Sequence, residues 1–331
     1  MGVMSIPYSV LDLSPIIEGG DAGQSLHFSA KLARHAEALG YTRFWMAEHH
    51  NMPGIASAAT AVALAHVGAH TKSIRIGAGG VMLPNHAPYV VAEQFGTLAA
   101  LHPGRVDLGL GRAPGGDMAA ARALRRNLQG DADGFPQDVA EIAAYFRPAQ
   151  EGQRIVAVPG EGLSVPIWIL GSSLYGAQLA AAFGLPYAFA SHFAPELMMQ
   201  AIELYRRQFK PSEQLEKPYV MLGCNVFAGD TDAEGTYLAT SMQQAFVNLR
   251  SGRPAKLQPP REGYLQTLDP QWRGLLDNIL SCSFIGSPAT VRAGLQGFIE
   301  RTGADEVIVA SQIFDPAKRL RSYEIAAQAM G

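Results

Sequence analysis

Residues that could carry acid–base chemistry follow one short apolar segment, residues 44–47. Glu48, His49 and His50 come directly after it, and residues 51–54 (Asn-Met-Pro-Gly) then break regular structure. Imidazoles titrate near neutral pH, so these side chains could give or take a proton at the end of a buried strand. The same residue types could equally do no more than satisfy hydrogen bonds at a strand end.

Residues suited to a flat, anionic ligand follow three further apolar segments. They are Gly79 and Gly80 after residues 74–78, Arg112 after residues 105–110, and Gly171, Ser172 and Ser173 after residues 167–170. Glycine lets a ring approach the backbone closely, a guanidinium binds phosphate through a rigid fork, and a helix start attracts anions. Arg112 could instead form an ion pair, and Ser172 could be only a helix cap. Together the segments predict a planar, phosphorylated cofactor.

The elements that must position these residues alternate regularly between strand and helix patterns. Eight strands are predicted, near residues 6–10, 44–47, 74–78, 105–110, 167–170, 187–190, 219–227 and 306–310, each followed by a helix. Short connections favour parallel strands with crossover helices, and no change in composition divides the chain. The predicted fold class is therefore α/β, a single (β/α)8 TIM barrel over residues 1–331 whose strand ends meet at one mouth.

One stretch interrupts this alternation. An insertion is predicted near residues 249–285, and its part 249–275 is rich in Pro, Arg and Gln with little periodicity. A loop of that length in a compact domain is usually functional, so we interpret it as a lid over the mouth.

Composition excludes several classes of protein. Of 331 residues, 48% are hydrophobic and 17% charged, so a large core is expected and disorder is not. The net charge of −3 gives no basic surface for nucleic acid. No apolar run approaches the ~20 residues of a membrane span, and residues 1–5 lack signal-peptide features. With only two isolated cysteines, Cys224 and Cys282, we expect a cytoplasmic protein.

Competing motifs are incomplete. Gly109 and Gly111 begin a dinucleotide-like pattern, but Pro114 occupies the third glycine position, so we reject a Rossmann motif. His66 and His70 are one helical turn apart and could chelate zinc, but the intervening residues lack the glutamate of a metalloprotease helix. Residues 171–173 do not match the Gly-x-Ser-x-Gly pattern of a nucleophilic serine. No complete set of metal ligands is visible, and no metal is predicted.

Five segments in order resemble one family. The segments are residues 44–50 (FWMAEHH), 76–84 (IGAGGVMLP), 104–112 (GRVDLGLGR), 168–173 (WILGSS) and 184–186 (GLP). They are similar to the corresponding segments of the bacterial luciferase-like flavin monooxygenases. The resemblance runs from the first strand to the last helix. It implies a (β/α)8 barrel that uses FMN and forms a homodimer through its second and third helices.

The resemblance also implies roles for individual residues. Arg112, Ser172 and Ser173 would hold the FMN phosphate, and Gly171 belongs to the same cofactor-binding set. The residues expected to line the isoalloxazine ring are Ala47, Glu48, Gly79 and Gly80. The Gly79–Gly80 bond matches the position of a non-prolyl cis peptide in the family. His49 matches the catalytic histidine.

Three departures from the luciferase pattern bear on the reaction. Residues 113–117 contain no aromatic side chain, and strand five ends without a glutamate. Ser191 and His192 stand where luciferases place a bulky aromatic, so light emission is not expected. His192 becomes a second candidate catalytic residue in the substrate pocket.

The resulting hypothesis is an FMN-dependent monooxygenase that oxidises a small or medium organic substrate. Reduced FMN would react with O2 to give a C4a-hydroperoxide in a site protected from water. No nicotinamide motif is visible, so a separate flavin reductase would supply reduced FMN. Three alternatives remain: a deazaflavin (F420)-dependent hydride-transfer enzyme of the same barrel family, a non-catalytic flavin-binding protein, and a metal-dependent barrel hydrolase.

Overall fold

A closed parallel barrel of eight strands forms the centre of the protein. The computed structural model describes residues 6–113, 118–124 and 134–331. The barrel strands are β1 (Tyr8–Asp12), β2 (Arg43–Met46), β3 (Arg75–Met82), β4 (Val106–Gly111), β5 (Ile167–Gly171), β6 (Tyr187–Phe189), β7 (Val220–Ala228) and β9 (Glu306–Ala310). They pair in chain order, and the barrel closes where β7 pairs with β9 and β9 with β1. The predicted α/β barrel is confirmed.

A ninth strand, β8 (Ser283–Gly286), extends the sheet outside this closed ring. It pairs in parallel with the second half of β7, where Asn225 lies opposite Ser283. Strand β8 was not predicted from the sequence. The strand has only four residues, and three of them are only partly buried, so it lacks the continuous apolar run of a buried barrel strand.

The crossover helices surround the barrel. They are α1 (Ala22–Ala38), α2 (Thr60–Ala69), α3 (Pro88–Leu101), α4 (Met118–Leu124), α5 (Phe135–Tyr145), α6 (Leu174–Phe183), α7 (Met198–Gln208), α8 (Asp232–Arg250), α9 (Pro270–Ile279), α10 (Pro288–Thr302) and α11 (Pro316–Met330). Side-chain caps explain several starts: Asp21 forms a capping box with Gln24, and Thr231 and Ser287 accept from backbone amides in the first turn. None of the helices in the described ranges is both long and apolar enough to cross a membrane.

Side chains along each strand alternate between the barrel interior and the surrounding helices, so the interior side chains form layers. The middle layer is a buried apolar cluster that includes Leu11, Trp45, Trp168, Met221 and Ile308. The two indole rings meet edge to face, with centroids 5.1 Å apart. The barrel is therefore a filled core at this level rather than a pore.

Charged residues occupy the interior at the strand starts. Asp107 lies between two arginines: its carboxylate is 2.8 Å from Arg43 Nη1 and 2.6 Å from Arg75 Nη2. Glu306 accepts from Arg43 Nε at 3.0 Å and from the Tyr219 hydroxyl at 2.9 Å. Both carboxylates are fully buried. Burial alone would lower the pKa of Arg43, but the two carboxylates raise it above its ordinary value.

The predicted lid segment, residues 249–275, is partly regular. It contains the end of α8, a 3-10 turn at Tyr264–Thr267 and the start of α9, so the expectation of an irregular loop is wrong from residue 270 onward. The physical reason is local, since Asp269 precedes a proline in the first helical turn. Leu257 anchors the segment to the β1–α1 loop: its amide donates to Ile16 and its carbonyl accepts from Glu18, both at 2.8 Å. Its role as a lid remains a prediction.

Candidate active site

Glu48 lies at the C-terminal end of β2, next to the buried Ala47, and is itself only 2% exposed. Its Oε1 accepts hydrogen bonds from Nε2 of His50 at 2.7 Å and Nε2 of His86 at 2.8 Å. Its Oε2 accepts from the Met82 amide at 3.2 Å. Burial alone would raise the pKa of Glu48, but the interactions with His86, His50 and the amide outweigh it and lower the pKa. Glu48 is therefore a buried carboxylate held in its ionised form.

His49 is not among the ring partners of Glu48, which are His50 and His86. Its amide donates to the Ser57 carbonyl at 3.2 Å, while its buried Nδ1 has no hydrogen-bond partner within the described ranges. Burial lowers the pKa of His49 to about 4, against an opposing effect of the Glu48 charge. The imidazole is neutral at pH 7 and retains a polar atom available to a ligand.

His192, after β6, is the second neutral imidazole of the mouth. It is 9% exposed, and its Nδ1 also lacks a partner among the residues that the structure describes. Burial lowers its pKa to about 4, and the charge of His49 contributes in the same direction. The two candidate catalytic residues, far apart in the sequence, therefore lie close enough to interact electrostatically.

Strand β7 provides the support for His192. A Cβ atom added to Gly223 would lie 2.3 Å from His192 Nδ1, so only glycine leaves room for the ring. Asn225 Nδ2 donates to the His192 carbonyl at 2.7 Å and to the Ser283 hydroxyl at 3.1 Å. Asn225 Oδ1 is buried and, among described residues, has no partner. Asn225 thus presents an acceptor that a ligand could use.

Gly79 and Gly80 lie within β3, joined by a cis peptide bond as the resemblance implied. A Cβ on Gly79 would come within 2.8 Å of the Leu11 side chain, and a Cβ on Gly80 within 2.7 Å of the Gly109 carbonyl. The barrel's own packing therefore requires both glycines. Gly79 nevertheless stays partly exposed inside the barrel, so solvent reaches its backbone through the mouth.

Arg112 follows β4 and lies over the ring of Tyr175, 4.1 Å from the centroid. Tyr175 belongs to the first turn of α6, directly after Gly171, Ser172 and Ser173. Ser173 is the N-cap residue, but its side chain makes no capping hydrogen bond. The stacking places the exposed guanidinium of Arg112 beside the start of α6. The N-cap side chain leaves the first amides of this helix uncapped, so the arrangement is suited to binding a phosphate.

Eight of the ten predicted site residues therefore lie at or just beyond the C-terminal ends of β2, β4, β5 and β6, on one rim of the barrel. The other two, Gly79 and Gly80, lie within the second half of β3. Four further residues of the site were not predicted from the sequence: His86, Gly223, Asn225 and Tyr175. A signal existed for Asn225, because it is a lone amide in the otherwise apolar β7. No local signal marks His86, whose partner Glu48 is 38 residues away. The sequence indicated no complete set of metal ligands, and the structure brings three possible ligand atoms together, from Glu48, His50 and His86.

The family assignment follows from comparison with known proteins. The family model for luciferase-like monooxygenases matches residues 6–306. This chain belongs to that family. A luciferase-like monooxygenase from Escherichia coli (strain K12) is 52% identical over 322 residues, covering 97% of this chain and 96% of the relative. The crystal structure of apo-MsnO8 is similar, with a TM-score of 0.87, 33% identity and 98% of each chain covered.

More distant neighbours share the fold of this chain and bind two kinds of flavin. One is the oxygenating constituent of 3,6-diketocamphane monooxygenase from Pseudomonas putida, a type II Baeyer–Villiger enzyme in complex with FMN (TM-score 0.72, 20% identity, 98% of this chain and 97% of that chain). Another is an F420-dependent secondary alcohol dehydrogenase (TM-score 0.71, 14% identity, 99% and 100%). Members of the family use flavin cofactors of either type.

Proposed function

We propose that this protein is an FMN-dependent monooxygenase that uses reduced FMN and O2 to oxidise a small or medium organic substrate. The proposal rests on one observation above all. His49 and His192 are neutral imidazoles at the barrel mouth, and each has a buried Nδ1 without a partner in the described part of the chain. Unsatisfied buried polar groups are costly, so their retention at one place supports a ligand-binding role.

The residues at the mouth fit FMN. Arg112, Ser172 and Ser173 would hold the phosphate, since the guanidinium on Tyr175 lies beside the start of α6. Gly79 is partly exposed, and its backbone together with Ala47 and Glu48 would line the isoalloxazine ring. Reduced FMN would supply the electrons that activate O2.

The protein's own groups would control protons and water. His49 can hold a proton at Nδ1 or accept one, because burial keeps the ring neutral at pH 7. Glu48 stays ionised and fixed by three hydrogen bonds, so it contributes a constant negative charge beside His49. His192, with its proton on Nδ1, would donate to a polar group of the substrate, such as the carbonyl of an aldehyde or ketone. Asn225 Oδ1 would accept a hydrogen bond from a donor group of the substrate or cofactor.

Two partners belong to the same proposal. A separate flavin reductase would deliver reduced FMN, and a second copy of the chain would pack against α2 and α3 as a homodimer. The exposed apolar side chains of Val62 on α2 and Leu101 on α3, 71% and 64% exposed, support the homodimer.

A cofactor titration tests the proposal. Trp45 and Trp168 lie in the layer below the mouth, so a flavin bound there should quench protein fluorescence. We expect FMN to bind at micromolar concentration, and Arg112→Gln to weaken binding about tenfold or more through loss of charged hydrogen bonds. The control is Arg207→Gln on α7, an exposed arginine remote in sequence from the site, which should leave affinity unchanged.

Other results would favour the alternatives. Quenching by F420 but not by FMN would replace monooxygenation with deazaflavin-dependent hydride transfer. Tight FMN binding without oxygen consumption for any substrate would indicate a non-catalytic flavin-binding protein. Binding of neither cofactor would refute the proposal.

A further inference from the structure

Glu48, His50 and His86 bring three metal-binding atoms together. Glu48 Oε1 lies 2.7 Å from His50 Nε2 and 2.8 Å from His86 Nε2, and all three atoms are within 4.8 Å of one another. No other three His, Cys, Asp or Glu side chains of the described chain converge in this way. The cluster joins the end of β2 to the turn after β3, two elements that the barrel holds rigidly.

These separations suit a first-row divalent ion. Zinc binds imidazole nitrogen and carboxylate oxygen at about 2.0–2.2 Å, so adjacent ligand atoms of a tetrahedral site lie roughly 3.3–3.6 Å apart. The observed oxygen–nitrogen distances of 2.7 and 2.8 Å are shorter, so rotation of the imidazoles away from Glu48 by about 0.5–0.9 Å would admit an ion. The three ligands would leave further positions to water, as in metal sites with two histidines and one carboxylate.

The surroundings also favour an ion. The Met82 amide holds the second oxygen of Glu48 and so orients the carboxylate, as second-shell groups do in metal sites. The side chains of His50 and His86 remain 15% and 28% exposed, which leaves a path from solvent to a carboxylate that is itself buried.

We propose that Glu48, His50 and His86 form a binding site for one zinc-type divalent cation at the barrel mouth. The site goes beyond the proposed flavin reaction and does not depend on it. In the metal-free protein the two imidazoles donate from Nε2 to Glu48. On binding, each neutral ring would move its proton from Nε2 to Nδ1, so that the Nε2 lone pair is free to bind the ion.

The test is calorimetric titration of the flavin-free protein with zinc chloride. We expect one zinc per chain, and a loss of affinity of about 100-fold or more in His86→Ala and in Glu48→Gln. The matched control is the double variant His66→Ala with His70→Ala, because those residues on α2 are one turn apart and could bind zinc by themselves. The control should retain the wild-type affinity. Circular dichroism would verify that each variant is folded.

Two results would overturn the proposal. One is wild-type protein that binds no zinc, and the other is binding that survives His86→Ala but disappears in the His66 and His70 double variant.

Visible absorption of bound Co2+ gives a second measurement, because its bands report the ligands directly. Those bands should change in His50→Gln and remain unchanged in the control. Bands that are the same in His50→Gln and wild type would also contradict the site. Failure of flavin binding would affect none of these outcomes.

Discussion

The two ends of the barrel interior differ in whether their buried polar groups have hydrogen-bond partners. At the strand starts, Asp107 and Glu306 each have several partners among Arg43, Arg75, Tyr219, Ser9 and Trp45. At the mouth, His49 Nδ1, His192 Nδ1 and Asn225 Oδ1 are buried without partners in the residues described. The apolar layer around Trp45 and Trp168 separates the two ends.

This difference indicates that the two ends of the barrel have different roles. A satisfied buried network stabilises one arrangement of the strands, whereas an unsatisfied one costs free energy unless a ligand completes it. Barrels of this type place stability at the N-terminal face of the strands and chemistry at the C-terminal face. The contrast therefore predicts that mutations at the strand starts change stability and mutations at the mouth change activity.

The largest effect on stability is expected at the strand starts. Asp107→Ala leaves the charges of Arg43 and Arg75 without their shared partner, so the free energy of unfolding should fall by about 3–5 kcal/mol. Urea unfolding measures the change. The matched variant at the mouth is His49→Gln, which should cost less than about 1 kcal/mol because no side-chain hydrogen bond to a described residue is lost. Equal costs for the two variants would remove the distinction between the ends.

The next effect concerns the free energy of unfolding at acidic pH. His192 has a pKa of about 4 when folded and about 6.5 when unfolded, so between these values the unfolded chain binds more protons. The free energy of unfolding should therefore fall as the pH is lowered from 6.5 to 4, by roughly 3 kcal/mol at most for one such group, and level off below. In His192→Gln this part of the fall should be absent. A variant whose acid profile matches the wild type would show that His192 is not held neutral.

A smaller effect is expected from Gly223→Ala. The added Cβ would lie 2.3 Å from His192 Nδ1 and must displace the ring, at a cost of about 1–3 kcal/mol in unfolding free energy. Oxygen uptake with reduced FMN should fall by more than this modest loss of stability explains. Gly297→Ala on α10 is the control, because nothing lies near its added Cβ. Full activity in Gly223→Ala would mean that the position of His192 is unimportant.

Much of the fold could be predicted because its signals are local. Each barrel strand is a short apolar segment with a helix after it, so eight strands and their common mouth followed from alternation alone. The strand β8 and the helix starting at Pro270 were not found, because the surrounding segment lacks periodicity. Glu48 and His49 were found because they directly follow an apolar strand.

The partners of the site residues could not be predicted in the same way. The contact between Glu48 and His86, and the fit of His192 against Gly223, join residues more than 30 positions apart. Such contacts depend on register and side-chain direction, which only the folded barrel determines. The paired charges of Asp107 and Glu306 were missed for the same reason.

Oxygen uptake and product mass, measured with reduced FMN across a panel of aldehydes, ketones and aromatic compounds, test the central claim most directly. We predict substrate-dependent oxygen consumption by the wild-type protein, with one oxygen atom added to the product. His49→Gln should bind FMN as tightly but form product about 10²–10⁴-fold more slowly, as expected for loss of a general acid or base. Product formation by His49→Gln at the wild-type rate would contradict the account.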